Sequence, residues 1–186
     1  SGGERGTGRD LVKEFCEAFR AEGICVGLYY SLIDWHHPDF IIDRLHPYRD
    51  LPKEEIDKLN SVRDMARYRE YMRNQVTELL TNYGKIDILW FDFSYPGENG
   101  KGRDDWESEK LVKLVRKLQP DIIIDNRLDL PGSGDIVTPE QYTPDKGMVD
   151  EKGNPVVWEG CQTFSGSWGY FRDEATWKSP KMCVEM

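Results

Sequence analysis

The chain has 186 residues, with 34 acidic against 25 basic side chains and a formal charge of −9. A mean hydropathy of −0.68, with no apolar run near the ~18 residues of a spanning helix, argues against a membrane protein. The pI near 4.9 argues against a nucleic-acid partner, which calls for clustered Lys and Arg. Six Trp, nine Tyr and seven Phe supply the large apolar groups that disordered chains lack, which leaves a soluble α/β enzyme, one domain or a piece of a larger one.

Ser1 to Gly8 reads as a lead-in without a signal peptide, and the missing signal is uninformative. Arg9 to Glu22 places Leu11, Phe15, Ala18 and Phe19 on one helical face, and Gly23 ends it. Ile24 to Ser31 follows as a buried strand, with Val26, Leu28 and Tyr30 on one side and Cys25, Gly27, Tyr29 and Ser31 on the other. Residues 32 to 60, rich in Pro and Asp, read as a long loop. A second helix from Val62 to Tyr83 carries Met65, Tyr68, Met72, Val76, Leu79 and Tyr83 on one stripe, and Gly84 closes it.

Ile86 to Phe93 is an apolar strand whose alternation turns Ile86, Ile88, Trp90 and Asp92 to one side. A glycine- and proline-rich loop leads to a helix capped by Asp104 or Asp105, with Leu111, Leu114, Val115 and Leu118 inward and Pro120 as its stop. Asp121 to Arg127 is a third strand, Val156 to Glu159 a fourth, and Arg172 to Met182 a last helix. The four cysteines show no CxxC pair and no zinc-like spacing, so Cys16 and Cys25 read as buried free thiols and the compartment is not fixed by them.

Apolar strands alternating with helices predict parallel βαβ units covered on both faces, in an open doubly wound sheet or a (β/α)8 barrel. No GxGxxG or Walker loop follows a strand, and the polar strand residues Ser31, Asp92, Arg127 and Glu159 all stand at carboxyl ends. A barrel builds its site there. With four strands visible in a fold of roughly 200 residues or more, the expected class is α/β, an incomplete (β/α)8 barrel.

Asp92 closes a Trp-Phe-Asp strand end, where an ionised carboxylate is costly unless hydrogen-bonded or used. One reading is a cap at a strand-to-loop junction; the other is a nucleophile or base at the barrel mouth. A nucleophilic carboxylate in sugar chemistry needs a second carboxyl group roughly 5.5 Å away, and Asp34, Glu140 and Glu159 are the candidates. Glu140 sits in Thr138-Pro139-Glu140-Gln141-Tyr142, Glu159 could line the site or pair with Arg127, and Asp34 reads as ordering its own loop. Arg127 suits sugar hydroxyls or a carboxylate, or it pairs with Asp125 or Asp129. Tyr29, Trp35, Trp158 and Trp168 suit stacking walls for a sugar, or plain core. Adjacent His36 and His37 do not make a metal site, because neighbouring residues rarely both ligate. A serine hydrolase lacks its GxSxG elbow.

Five colinear stretches carry a resemblance: GRDLVKEF at 8 to 15, GLYYSLIDWHHPDF at 27 to 40, YMRNQVTELLTNYGKIDILWFDF at 71 to 93, DIIIDNR at 121 to 127 and VVWEGCQTFSGSWGY at 156 to 170. Together they resemble α-L-fucosidases of glycoside hydrolase family 29 over almost the whole chain. The resemblance implies a retaining exo-glycosidase with Asp92 as nucleophile and Glu140 as acid/base. It implies Tyr29, Trp35, Arg127 and Trp168 as contacts to the sugar, Trp168 near the fucose methyl. The family's Asn-Asp-Arg segment is Asp125-Asn126-Arg127 here, with two residues exchanged. It further implies no metal or organic cofactor, a fucosylated glycan as partner, and a periplasmic or secreted location. Residues 1–186 are then expected to be part of the catalytic barrel, without its first strands, which supply further histidines to the sugar, and without its last. The rivals are an exo-glycosidase for another sugar, such as an α-galactoside, and an inactive sugar-binding remnant.

Overall fold

The computed structural model describes residues 8–185, so the lead-in expected at the amino terminus, Gly8 apart, lies outside the described residues. These residues fall into two compact units, the first ending at Gly134 and the second beginning at Asp135.

The first unit opens with α1 (Leu11–Ala21), whose N-cap Asp10 accepts a hydrogen bond from the Lys13 N–H at 3.0 Å. Gly23 ends it in the left-handed region (φ 72°) that favours glycine. Strand β1 (Gly27–Ser31) begins three residues later than expected, because Val26 gives its N–H to the Asp87 carboxylate at 2.8 Å instead of a ladder partner. Cys16 is buried as expected, whereas Cys25, outside the strand, is exposed.

The segment expected to be entirely loop contains α2 (Lys53–Asn60). It buries no residue, so it has no apolar stripe to reveal it; Glu54 and Glu55 in its first turn and Lys58 in its last complement the helix dipole. Helix α3 (Met65–Asn82) follows, capped by Asp64, with Tyr68, Met72, Val76 and Leu80 buried. Leu80 is buried at the end of this stripe, and Leu79, partly buried, packs against the same core as expected.

Strand β2 (Ile88–Asp92) pairs in parallel with β1, Tyr29 beside Trp90 and Ser31 beside Asp92. The helix expected after it is divided into α4 (Arg103–Trp106) and α5 (Ser108–Leu118) at Glu107, which has φ 51°. Trp106 is fully buried there, and Glu107 is tied by Arg73 and by Lys110 at 2.7 Å. Asp105 serves the new start by accepting from Gly102 N at 2.9 Å. Strand β3 (Ile123–Ile124) is far shorter than its apolar segment and pairs in parallel with β2, Leu89 beside Ile124. The sheet order is β1-β2-β3.

One face of this sheet, with Val26, Tyr30, Leu89, Phe91, Ile122 and Ile124, packs with the buried stripes of α3 and α5 and with Cys16 of α1. Burying those side chains contributes roughly 1.5–3 kcal/mol each. The other face carries Tyr29, Trp90 and Asp92 and stays partly exposed, so coverage is one-sided rather than double. A (β/α)8 barrel is not closed by these three strands.

In the second unit the expected fourth strand is reduced to isolated parallel bridges, Val137 with Trp158 and Glu140 with Cys161. Pro139 has no N–H to donate and Gln141 has φ 52°, so a regular ladder cannot form across 137–141. The last helix, α6, runs Pro180–Glu185. Residues 172–179, expected to be helical, instead spend their donors on a loop: Thr176 on the Glu174 carboxylate (2.8 Å) and Lys178 N on Phe164 O (2.8 Å).

Candidate active site

Period-2 alternation and the β1–β2 register put Tyr29, Trp90 and Asp92 together on the open face, at the carboxyl ends of their strands. The Tyr29 and Trp90 rings stack with centroids 5.7 Å apart. The Arg127 guanidinium lies 4.7 Å above the Trp90 ring, and its Nη1 is 3.5 Å from Asp92 Oδ1. Asp92 also accepts from the Tyr29 hydroxyl at 2.7 Å and from Phe93 N–H at 2.8 Å. Phe93 has φ 75°, so the chain leaves the strand abruptly at the carboxylate. Asp92 is thus held by a phenol, a backbone N–H and a guanidinium, while its side chain stays 24% exposed. Such a carboxylate has fixed direction and open access, as a nucleophile needs.

Below it stands Asp125, fully buried, whose Oδ1 accepts from Phe91 N–H at 3.0 Å. Burial pushes its carboxyl up to about 7, with the charge of Asp92 acting in the same direction. Sequence reasoning placed Asp125 only as a partner for Arg127. The sequence carries no signal for its burial; the structure buries Ile124 and Asp125 in succession, a break in strand alternation.

Of the expected sugar contacts, Tyr29 and Arg127 belong to this cluster with Asp92, and Trp90 joins them. Trp35, on the loop after β1 and 40% exposed, is not among the rings stacked there. Glu140 and Trp168 belong to the second unit. Glu140 is exposed beside its bridge to Cys161, and Trp168 is 60% exposed. Glu159 is exposed as well, its N–H given to Val137 O at 2.9 Å.

Asp34 orders its own loop by accepting from His36 N–H at 3.0 Å. The His37 ring packs on Tyr68 and Tyr71, and its Nδ1 accepts from Asp39 N–H. Among the described residues no three His, Cys, Asp or Glu side chains gather as a metal site would require, and no helix is long and apolar enough to cross a membrane.

The family model for alpha-L-fucosidase matches residues 3–186. The chain belongs to the alpha-L-fucosidase family. Within the family it is similar to the solved structure of alpha-L-fucosidase isoenzyme 1 from Paenibacillus thiaminolyticus, at 48% identity and a TM-score of 0.81, over 95% of this chain and 43% of that one. It is also similar to AlfC from Lactobacillus casei, solved in complex with alpha-L-fucose product: 25% identity, TM-score 0.65, 95% of this chain and 53% of that one. Rat plasma alpha-L-fucosidase (Rattus norvegicus) is 28% identical over 91% of this chain and 34% of its own length. The chain therefore spans about a third to a half of the length of these family members.

Proposed function

We propose that the complete protein is a retaining exo-α-L-fucosidase that releases terminal fucose from glycans. In this reading the three parallel strands and their helices are part of a (β/α)8 barrel, which the likeness to solved fucosidases supports. The carrying observation is Asp92, held by Tyr29, Phe93 N–H and Arg127 on the open face of the sheet at the strand ends.

Asp92 Oδ attacks the anomeric carbon through an oxocarbenium-like transition state while Glu140 protonates the departing oxygen. The bond to the aglycone breaks and a covalent fucosyl-enzyme forms. Glu140 then takes a proton from water, whose oxygen displaces Asp92, and fucose leaves with its configuration retained. Arg127 and Tyr29 bond the sugar's oxygens and orient the nucleophile, with Trp35 as a further wall and Trp168 against the methyl group. A relative bound to alpha-L-fucose supports this choice of sugar.

The test is hydrolysis of an aryl α-L-fucoside by the complete protein, with the first-formed anomer read by NMR. Retention and a loss of at least about a thousandfold for Asp92→Ala are the expected results. Glu140→Ala spares activated aryl fucosides, and added azide then yields fucosyl azide. Inversion, or near-normal turnover by Asp92→Ala, overturns the assignment.

A further inference from the structure

The chemistry proposed above makes no use of Asp125, yet among the described residues no other carboxylate is so tightly enclosed beside Asp92. It follows Ile124 directly and is 0% exposed. Its Oδ1 takes the N–H of Phe91, the residue just before Asp92, and so extends the β2–β3 pairing beyond Leu89 and Ile124 with a side chain. Its Oδ2 is buried with no hydrogen-bond partner, an arrangement that suits a neutral carboxyl far better than a charged one. The charged groups facing it are Asp92 from β2 and Arg127 from the segment after β3. Burial, the largest effect, and Asp92 favour the protonated form; the Phe91 N–H, the Arg127 charge and the Arg127 backbone N–H oppose them.

We propose that Asp125 is a positioning residue for Asp92: its neutral carboxyl anchors β2 one residue before the nucleophile and leaves the Arg127 guanidinium to Asp92. This rests on the fucosidase reading and deepens it. When Asp125 loses its proton, a second carboxylate competes for Arg127, and the guanidinium is drawn from Asp92. Asparagine at 125 keeps the acceptor for Phe91 N–H but cannot ionise.

The experiment follows kcat/KM against pH in the complete protein, with a dinitrophenyl α-L-fucoside whose leaving group needs no acid. Loss of the proton on Glu140 then does not shape the alkaline limb. Wild type is expected to decline above about pH 7. Asp125→Asn keeps its best kcat/KM within about threefold and moves that decline upward by about one pH unit or more. Asp125→Ala, with no acceptor for Phe91, lowers kcat about tenfold or more at every pH with KM little changed. In the infrared, the C=O stretch of a neutral carboxyl at about pH 6 disappears in Asp125→Asn. An alkaline limb that Asp125→Asn leaves in place, or an unchanged carbonyl band, overturns the proposal. A complete protein that cleaves no α-L-fucoside sinks the fucosidase reading instead, and the infrared comparison still decides whether Asp125 holds the proton.

Discussion

The Tyr29 hydroxyl reaches Asp92 Oδ2 at 2.7 Å along a diagonal of the β1–β2 pair, since the direct neighbour of Tyr29 is Trp90 and that of Asp92 is Ser31. A diagonal of roughly 7–8 Å is the span that a Tyr side chain can bridge. Tyr29 therefore does two things at once, stacking on Trp90 and setting the direction of the carboxylate.

Tyr29→Phe separates these tasks, because it keeps the stack and removes the donor. A hydrogen bond to a charged group is worth about 1.5–3 kcal/mol, so kcat/KM on an aryl α-L-fucoside is expected to fall about ten- to a hundredfold. The ring and its stack on Trp90 remain, so the melting temperature should fall by no more than a few degrees. Steady-state kinetics with a thermal melt checks both, and unchanged kinetics would remove Tyr29 from the nucleophile's support.

The parallel strands and the inward stripes of α3 and α5 were legible because apolar spacing reports burial directly: Met72, Val76, Leu111 and Val115 could point nowhere else. Alternation also assigned Tyr29 and Asp92 each to a side of its own strand, but that the two meet comes from the parallel β1–β2 register. Helix α2 was not legible, since its stability comes from end charges and from Asn60 bonding both backbone groups of Ile42. The break at Glu107 was hidden for a similar reason: its cause is a left-handed residue tied by Arg73 and Lys110, partners distant or polar rather than periodic. Asp125 escaped because an Asp at a strand end has the same letter whether it is wet or buried.

The loop that returns past β3 depends on Gly134. A Cβ there would lie 2.7 Å from Asp125 O and 2.8 Å from Asn126 Cα, both backbone atoms that cannot swing aside. Gly134→Ala should cost about 1–3 kcal/mol through forced displacement of the Asp125–Arg127 segment. Denaturant unfolding of the complete protein measures it. Turnover per folded molecule should drop in the same variant, because Arg127 moves with that segment. A neutral substitution would mean the loop has room to yield.

Asp125 also makes stability pH-dependent, with a sign that can be stated. Its carboxyl is held at about 7 in the folded chain against about 3.9 in an unfolded one, so the folded state holds the proton more tightly. The stability this brings is complete below about pH 4 and is lost as pH rises to about 7, on the order of 4 kcal/mol across that window. Asp125→Asn cannot lose it. The stability of Asp125→Asn relative to wild type should therefore climb between about pH 4 and pH 7 and then level off. Urea unfolding at a series of pH values reads this difference, and a flat difference contradicts a buried neutral Asp125.

The loops after β1 and β2 are joined by a buried ion pair. Lys101 and Asp43 are each 2% exposed, with the ammonium donating to Asp43 Oδ2 and lying 4.6 Å from the centre of the Phe40 ring. The Tyr95 hydroxyl gives a second hydrogen bond to the same oxygen at 2.6 Å, while Leu45 and His46 N–H groups hold Oδ1. Burial lowers the Lys101 pKa and Asp43 pulls it back up, so the charge depends on its partner. Lys101→Met leaves the carboxylate enclosed without its counter-ion and should cost about 3–5 kcal/mol. Adding Asp43→Asn removes the stranded charge and should recover much of that loss. Thermal and urea unfolding of the two single variants and the double variant closes the cycle. If the single losses simply add, the pair contributes no coupling, and the two loops are held together by the Arg44 hydrogen bonds to Tyr95, Pro96, Glu98 and Asn99 and by the Phe40, Tyr95 and Trp106 rings.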